Sequence, residues 1–413
     1  MPAQSSKSRV VFHYPNFLYH AGARVLSVFA SEMQAVAVGW QLYGLTHRPL
    51  DLGLVGLAQF LPGILLFLVA GHAADRFPRK NILQFCMAGY ALVPLLLAAF
   101  TLSEIRAVYP IYLVLLLNGT GRAFSMPASQ ALLPTLVPKE HFANAVAWGS
   151  SWFQMATIFA PMAGGLIYGM TGSPLPVYAC SAVLYVAAFL SVSRIQMKAV
   201  ERTVKAAAPE MVFEGLRYIW KNKFVLGAIS LDLFAVLLGG AMALLPVYAR
   251  EILSVGAFGL GILRSAPGVG AIVMALVLAH HPLGRRQGTI MLWCVFGFGL
   301  FTVVFGLSRS VVVSLVALAF TGACDMVSVV VRSTMVQLRT PDHMRGRVSA
   351  VNMVFIGASN EVGQFESGIT AQWFGSVPAV VLGGIGTIVV VAAWTWLFPE
   401  LRQAQEPVGA GKQ

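Results

Sequence analysis

Charge is scarce in this chain. Only 11% of its residues are Asp, Glu, Lys or Arg, against roughly a quarter in soluble domains, while 57% are hydrophobic. So little charge cannot cover a water-exposed surface, which excludes the ordinary soluble enzymes and binding modules at the outset. Cysteine is sparse as well. Cys86, Cys180, Cys294 and Cys324 all fall inside apolar runs with no metal-ligand spacing, so they read as small core hydrophobes rather than a disulfide framework or a metal site. The sequence has no Walker A pattern, no H-E-x-x-H and no G-x-S-x-G, which removes the usual signs of ATP hydrolysis, zinc proteolysis and serine-hydrolase chemistry. No catalytic residue, cofactor or metal is expected.

What the chain has in abundance is long apolar stretches. Mean hydropathy is +0.75, and the hydrophobic residues recur in runs of about 20 to 28, long enough to cross a bilayer with some tilt. Twelve runs are separated by polar breaks: 17–45, 50–74, 81–103, 108–134, 142–169, 174–195, 222–250, 255–281, 288–307, 311–338, 346–372 and 376–398. The expected fold class is therefore an all-α polytopic membrane protein. The first run contains Arg24 and Glu32 and exceeds a signal-peptide core in length, so it reads as a retained span.

The net charge of +12 could suggest nucleic acid, but its distribution does not. Twenty Lys and Arg residues fall in loops on one side of the twelve spans, and only Arg48, Arg106, Arg250 and Arg309 on the other. Basic loops face the cytoplasm, so both termini are expected there, in a multi-pass protein of the inner cell membrane without a nucleic-acid partner. The longest basic loop divides the chain into a six-helix bundle at 1–195, a cytoplasmic linker at 196–221 and a second bundle with its tail at 222–413. Within the linker, Met211, Val212, Phe213, Leu216, Ile219 and Trp220 recur at helical spacing, the pattern of an amphipathic helix at the membrane interface.

The two halves echo one another at a shift of about 203 to 208 residues. Pro62-Gly63 meets Pro267-Gly268, NILQFCMAG (81–89) meets TIMLWCVFG (289–297), and NGTGRAFSMPASQALLPTLVP (118–138) meets TGACDMVSVVVRSTMVQLRTP (321–341). A common order and shift point to a duplicated six-helix unit. Parallel repeats of this kind are a transporter architecture, with the substrate site near the midplane.

Three motifs carry a family resemblance. The loop GHAADRFPRK (71–80) is similar to the G-x-x-x-D-R-x-G-R-R/K loop of the major facilitator superfamily, matched by Gly71, Asp75, Arg76, Arg79 and Lys80, with Pro78 in place of a glycine. The resemblance implies a cytoplasmic gating loop, in which Gly71 allows close helix approach and the charges break and re-form. APMAGG (160–165) resembles the core of the helix 5 motif of drug–proton antiporters, through Pro161, Gly164 and Gly165. The segment QLRTPDHMRGRVSAVNMVFIGASNEVGQFESGITAQWFGSVPAVVLGGIGT (337–387) looks like the enterobactin-exporter type of permease. The implied function is proton-coupled secondary export of a small organic molecule, siderophore or drug-like, by a monomer in contact with membrane lipid, protons and substrate. An uptake permease or a lipid flippase of the same fold is the alternative, and a membrane-embedded enzyme or sensor a remote one.

Charges inside the spans sharpen this reading. A charge at the bilayer centre costs about 2.5–3.5 kcal/mol on insertion scales, yet Glu32, Arg122, Asp232 and Asp325 lie in spans 1, 4, 7 and 10. In the superfamily those spans line the cavity. Asp325 and Glu32 are the candidate proton carriers, Arg122 their counter-ion or an anion contact, and Asp232 a weaker candidate. Span 11 adds Glu361 and Glu366, about 140° apart on a helix. Arg24, Arg264 and Arg332 lie off-centre and read as snorkelling or interhelical pairs. Arg332 follows Asp325 by two turns, about 10 Å of rise, too far for a direct bridge.

Overall fold

The computed structural model describes residues 10–103, 107–196, 209–281 and 286–402. Helices stand at all twelve expected positions: α1 (Pro15–Thr46), α2 (Pro49–Leu65) and α3 (Phe67–Arg76) together forming the second, α4 (Arg79–Leu102), α5 (Tyr109–Leu132), α6 (Phe142–Thr171) and α7 (Leu175–Ser193), then, after the linker helix α8 (Pro209–Lys221), α9 (Lys223–Leu238), α10 (Gly256–His280), α11 (Gln287–Leu307), α12 (Val311–Arg339), α13 (Asp342–Phe374) and α14 (Ser376–Leu397). No strand occurs among the described residues.

Among the described residues, seven segments are both long and apolar enough to cross a membrane: α4, α7, α10, α11, α12, α14 and Lys223–Ile252. Among the long helices outside that set are α1, α5 and α13, which carry Glu32, Arg122, Glu361 and Glu366. Outward-facing Leu65, Phe85, Leu113 and Trp396 are more than half exposed, an apolar surface suited to lipid.

The chain divides into two compact units. The first comprises Met1–Leu45, Ala58–Ala207 and Gly256–Gly261; the second comprises Thr46–Leu57, Ala208–Val255 and Ile262–Gln413. The first unit is centred on Phe17, Met87, Leu132, Tyr185 and Val192. Phe12 adds to it by packing on Trp148 with ring centroids 5.1 Å apart. The second unit is centred on Phe224, Val225, Leu231, Met291, Val331 and Met335.

Glycine sets the closest helix crossings in each unit. Gly119 of α5 lies against the Gln59 backbone of α2, and Gly322 of α12 against the Pro267 backbone of α10. Small residues let membrane helices approach at backbone distance, where dispersion replaces the missing hydrophobic drive. These are equivalent positions of the two repeats. The connectors repeat as well: His47 (φ 50) and Ser254 (φ 54) adopt left-handed backbone at one pair of turns, and Gly172 (φ 65) and Gly375 (φ 90) at another. A left-handed residue costs a non-glycine side chain energy, so its recurrence at a spacing near 205 marks the duplication in the backbone itself.

Two expected spans are not continuous helices. The second bends at Leu66, whose N–H still reaches the Pro62 carbonyl at 2.9 Å, so it is a kink beside a proline rather than a loop. The seventh stops at Leu238, where Gly239 and Gly240 end α9 and the chain continues as a 3-10 turn and a π turn, Tyr248–Ile252. Asn222 caps its start, accepting from the Val225 N–H at 3.2 Å, a favoured N-cap arrangement.

The linker helix packs one face on protein. The side chains of Met211, Val212 and Phe213 lie outside the described residues, but the following turns pack on protein. Ile219 is buried, Gly215 sits against the Arg347 backbone of α13, Tyr218 donates to the Arg339 carbonyl at 3.1 Å, and Glu214 pairs with Arg347. Half-exposed pairs of this kind contribute little, so the buried face does most of the docking. Trp220 is left on the open side.

Candidate functional site: charged clusters within the helices

Each unit holds a polar cluster inside its helices. In the first, Glu32 of α1 is half-buried and lies within electrostatic reach of Tyr185 of α7, which hydrogen-bonds to Ser31. The Tyr185 ring stands 5.5 Å from that of Tyr90 on α4. The Tyr90 hydroxyl is 2.8 Å from Ser125 of α5 and within reach of Arg122, one turn away. Glu32 is thus near one member of a buried tyrosine pair and Arg122 near the other. Neither tyrosine figured among the expected site residues. The available signal was a single mid-span tyrosine in each of spans 3 and 6, and a buried tyrosine hydroxyl needs a partner.

In the second unit Arg332 of α12 forms an ion pair with Asp232 of α9. Both are buried, at 3% and 6% exposure. Asp232 and Asp325 line one small pocket, with room for about one water, together with Phe298, Cys324 and Ser328. Asp325 is within electrostatic reach of Asp232 and Arg332. Interhelical pairing therefore accounts for Arg332, and Asp232 emerges as a central member of the cluster. Arg122 belongs to the first unit, whereas the charges around Asp325 in its own unit are Asp232 and Arg332.

The repeat relates the two clusters. Arg122 and Ser125 correspond to Asp325 and Ser328 at a shift of 203, and extending the match of 81–89 with 289–297 by one residue sets Tyr90 over Phe298. Tyr90 reaches Ser125 with its hydroxyl. Phe298 has none to offer Ser328, and a pocket lies there.

On α13 the two glutamates have local partners. Glu366 accepts from the Thr370 hydroxyl at 2.7 Å. Glu361 is buried and accepts from Gln364 at 3.4 Å. The same stretch packs on α2, with Gly53 and Gly56 against Gln364 and Gly53 against Gly368. Tyr248 is core: it is fully buried, donates to the Gly306 carbonyl at 2.9 Å and packs tilted on Phe305 with ring centroids 4.5 Å apart.

The basic loop residues are firmly held. Arg79 donates to the Ala131 carbonyl at 2.6 Å, and Lys80 to the Ser193 and Ile195 carbonyls at 2.8 and 2.6 Å. They cap the C-terminal ends of α5 and α7, where the helix dipole favours a cation. Gly71 has open space where a Cβ would stand, so close helix approach does not explain it. The Asp75 side chain lies outside the described residues, and Arg76 is exposed. Lys80→Met will remove two charge-assisted bonds and destabilise the first unit by about 2 kcal/mol. Thermal unfolding of the solubilised protein measures this; an unchanged midpoint refutes the capping role.

The helix 5 motif is a packing surface. Gly164 lies against the Met33 backbone of α1, 2.9 Å from where its Cβ would stand, and Gly165 against the Ala257 carbonyl at 2.6 Å. Pro161 sits within a helix that remains continuous from Phe142 to Thr171. The four cysteines are free, and no cluster suited to a metal occurs among the described residues.

Comparison with known proteins sets these features in a family. A family model described as transmembrane secretion effector matches residues 14–408. The chain is 25% identical over 389 residues to the enterobactin exporter EntS of Shigella boydii serotype 4 (strain Sb227), covering 93% of this chain and 92% of the relative. It is equally similar to EntS of Escherichia coli O139:H28 (strain E24377A / ETEC). Among solved structures, a bacterial homologue of the human lysosomal transporter Spinster, inward-facing and occupied, has a TM-score of 0.74 at 12% identity, covering 94% of this chain and 98% of that one. A bacterial homologue of the iron transporter ferroportin, inward-facing, has a TM-score of 0.72 at 13% identity, covering 92% and 98%. Such low identities speak for the fold alone. The chain belongs to the transmembrane secretion effector family of the major facilitator superfamily, and it is a multi-pass membrane transporter, not an enzyme.

Proposed function

We propose that the protein exports a small organic molecule of the siderophore class across the inner cell membrane by alternating access, drawing on proton influx, as a monomer with both termini cytoplasmic. The observation that carries this reading is the match to enterobactin exporters along 93% of the chain. Support for proton coupling comes from acids held inside the helices, Glu32 beside Tyr185 and Asp232 with Asp325 around one pocket. Such groups within membrane segments mark ion and substrate pathways. Arg122 is assigned to anion contact near the tyrosine pair, and Glu361 and Glu366 to the span 11 surface. The loop Gly71, Asp75, Arg76, Arg79 and Lys80 is assigned to the cytoplasmic gate. Pro161, Gly164 and Gly165 form the helix 5 contact on which motion turns.

The test is uptake into inverted membrane vesicles. A catecholate siderophore accumulates when the vesicle interior is acidic, and a protonophore abolishes the accumulation. Accumulation that ignores the pH gradient overturns the coupling. Transport of hydrophobic drugs with no movement of any catecholate overturns the substrate class.

A further inference from the structure

The cluster in the second unit has an unbalanced charge count. Asp232 and Asp325 are two carboxylates facing one pocket, and Arg332 is the cation within reach of both. The charged groups acting on Asp325 are Asp232 and Arg332, and on α13, which packs on α9, Glu361 accepts from Gln364 and Glu366 from Thr370. From α11 the titratable neighbour is the Cys294 thiol beside Cys324, and from α12 it is Cys324 itself. On α10, Arg264 precedes the Pro267–Gly322 crossing by about one turn and Asp325 follows it by about one turn, which separates them by roughly 9 Å of rise, counted from the level of the crossing, and the charges acting on Asp325 are those of Asp232 and Arg332. His280 is exposed and bonded to the Leu276 carbonyl.

With both acids ionised the cluster carries one uncompensated negative charge, and isolated buried charge is costly enough that a group neutralises instead. We infer that Asp232, Asp325 and Arg332 form a single-proton site: the two acids share one exchangeable proton, and the charge of Arg332 balances whichever carboxylate is ionised. In the resting arrangement Arg332 pairs with Asp232 and the proton resides on Asp325. On release, the Asp325 O–H bond breaks, its electron pair stays on the carboxylate, and the proton passes to water in the pocket. Moving the proton to Asp232 gives a second neutral arrangement, in which the guanidinium balances the Asp325 carboxylate through the pocket. The inference deepens the proton-coupled reading above and rests on it only for the use made of the proton. Arg332 is a positioning residue here and Asp325 the proton-bearing one.

Infrared difference spectroscopy of the full-length protein in lipid nanodiscs counts protonated carboxyl groups without any substrate. At neutral pH, Asp325→Asn and Asp232→Asn are each expected to lose one protonated carboxyl relative to the native protein, because either acid alone ionises against Arg332. Arg332→Gln is expected to gain one, because both acids then need protons. A loss in Asp325→Asn with none in Asp232→Asn overturns the shared proton, and a native count in Arg332→Gln overturns the role of the cation. Should a single variant fail to give monodisperse protein, the doubly neutral Asp232→Asn/Arg332→Gln keeps the charge balance. It is expected to retain one carboxyl whose protonation no longer varies across the physiological range, and pH-dependent loss of that signal overturns the proposal. If the carboxyl counts hold while vesicles export nothing, the functional reading falls alone; if vesicles export while the counts fail, another acid carries the proton.

Discussion

Gly270→Ala will destabilise the protein by about 3 kcal/mol, the upper range for overpacking a tight contact, and Gly322→Ala will cost a similar amount. A Cβ on Gly270 would fall within the carbonyl group of Ala319, and one on Gly322 within that of Pro267. The obstacle in each case is backbone, which cannot rotate aside as a side chain can. Against this stands the helix propensity gained by replacing glycine with alanine, about 1 kcal/mol, so the clash decides the sign. Both glycines belong to one α10–α12 crossing. Once one alanine has driven the helices apart, the second meets a contact already opened, and the double variant should cost less than the sum of the singles. Gly63 provides the control, since open space surrounds its Cβ position and Gly63→Ala should leave the melting midpoint unchanged or slightly higher. Thermal unfolding of solubilised protein gives all four values. Full stability of Gly270→Ala would mean that α10 and α12 do not meet at backbone distance.

The crossings show what a sequence discloses and what it conceals. The glycine echo Gly119/Gly322 was legible as a repeat, because a shift of 203 places one on the other. Its physical cause was not, because the partner carbonyls of Gln59 and Pro267 belong to helices distant in sequence. Span positions followed from hydropathy alone. The break at Gly239–Gly240 did not, since two glycines inside an apolar run read equally well as helix packing or as a stop. Among the charges, composition gave the residues inside the spans but not their pairing. Asp232 and Arg332 are 100 residues apart and meet only when α9 lies beside α12. The tyrosine pair Tyr90 and Tyr185 was not legible either, since these are aromatic residues in ordinary apolar spans whose charged neighbours come from other helices.

Asp325→Asn will eliminate accumulation driven by a pH gradient, reducing it to the level of vesicles without the protein. The substitution keeps the size and most hydrogen-bonding capacity of the side chain and leaves the Asp232–Arg332 pair intact, so the helices should still assemble. What it removes is the group that gains and loses a proton. The remaining acid and cation balance exactly one charge each, and a neutral, closed pair has nothing to exchange. Transport rate should therefore become independent of pH across the range in which the native protein responds. Asp325→Glu separates a protonic role from a packing role, because it restores a titratable carboxyl one methylene longer at the cost of crowding a tight site. If the acid matters for its proton, glutamate recovers coupled flux where asparagine does not. If it matters for packing, asparagine, the closer match in shape, is the better tolerated of the two. Coupled flux preserved in Asp325→Asn would move the proton pathway to the first unit, where Glu32 stands beside Tyr185.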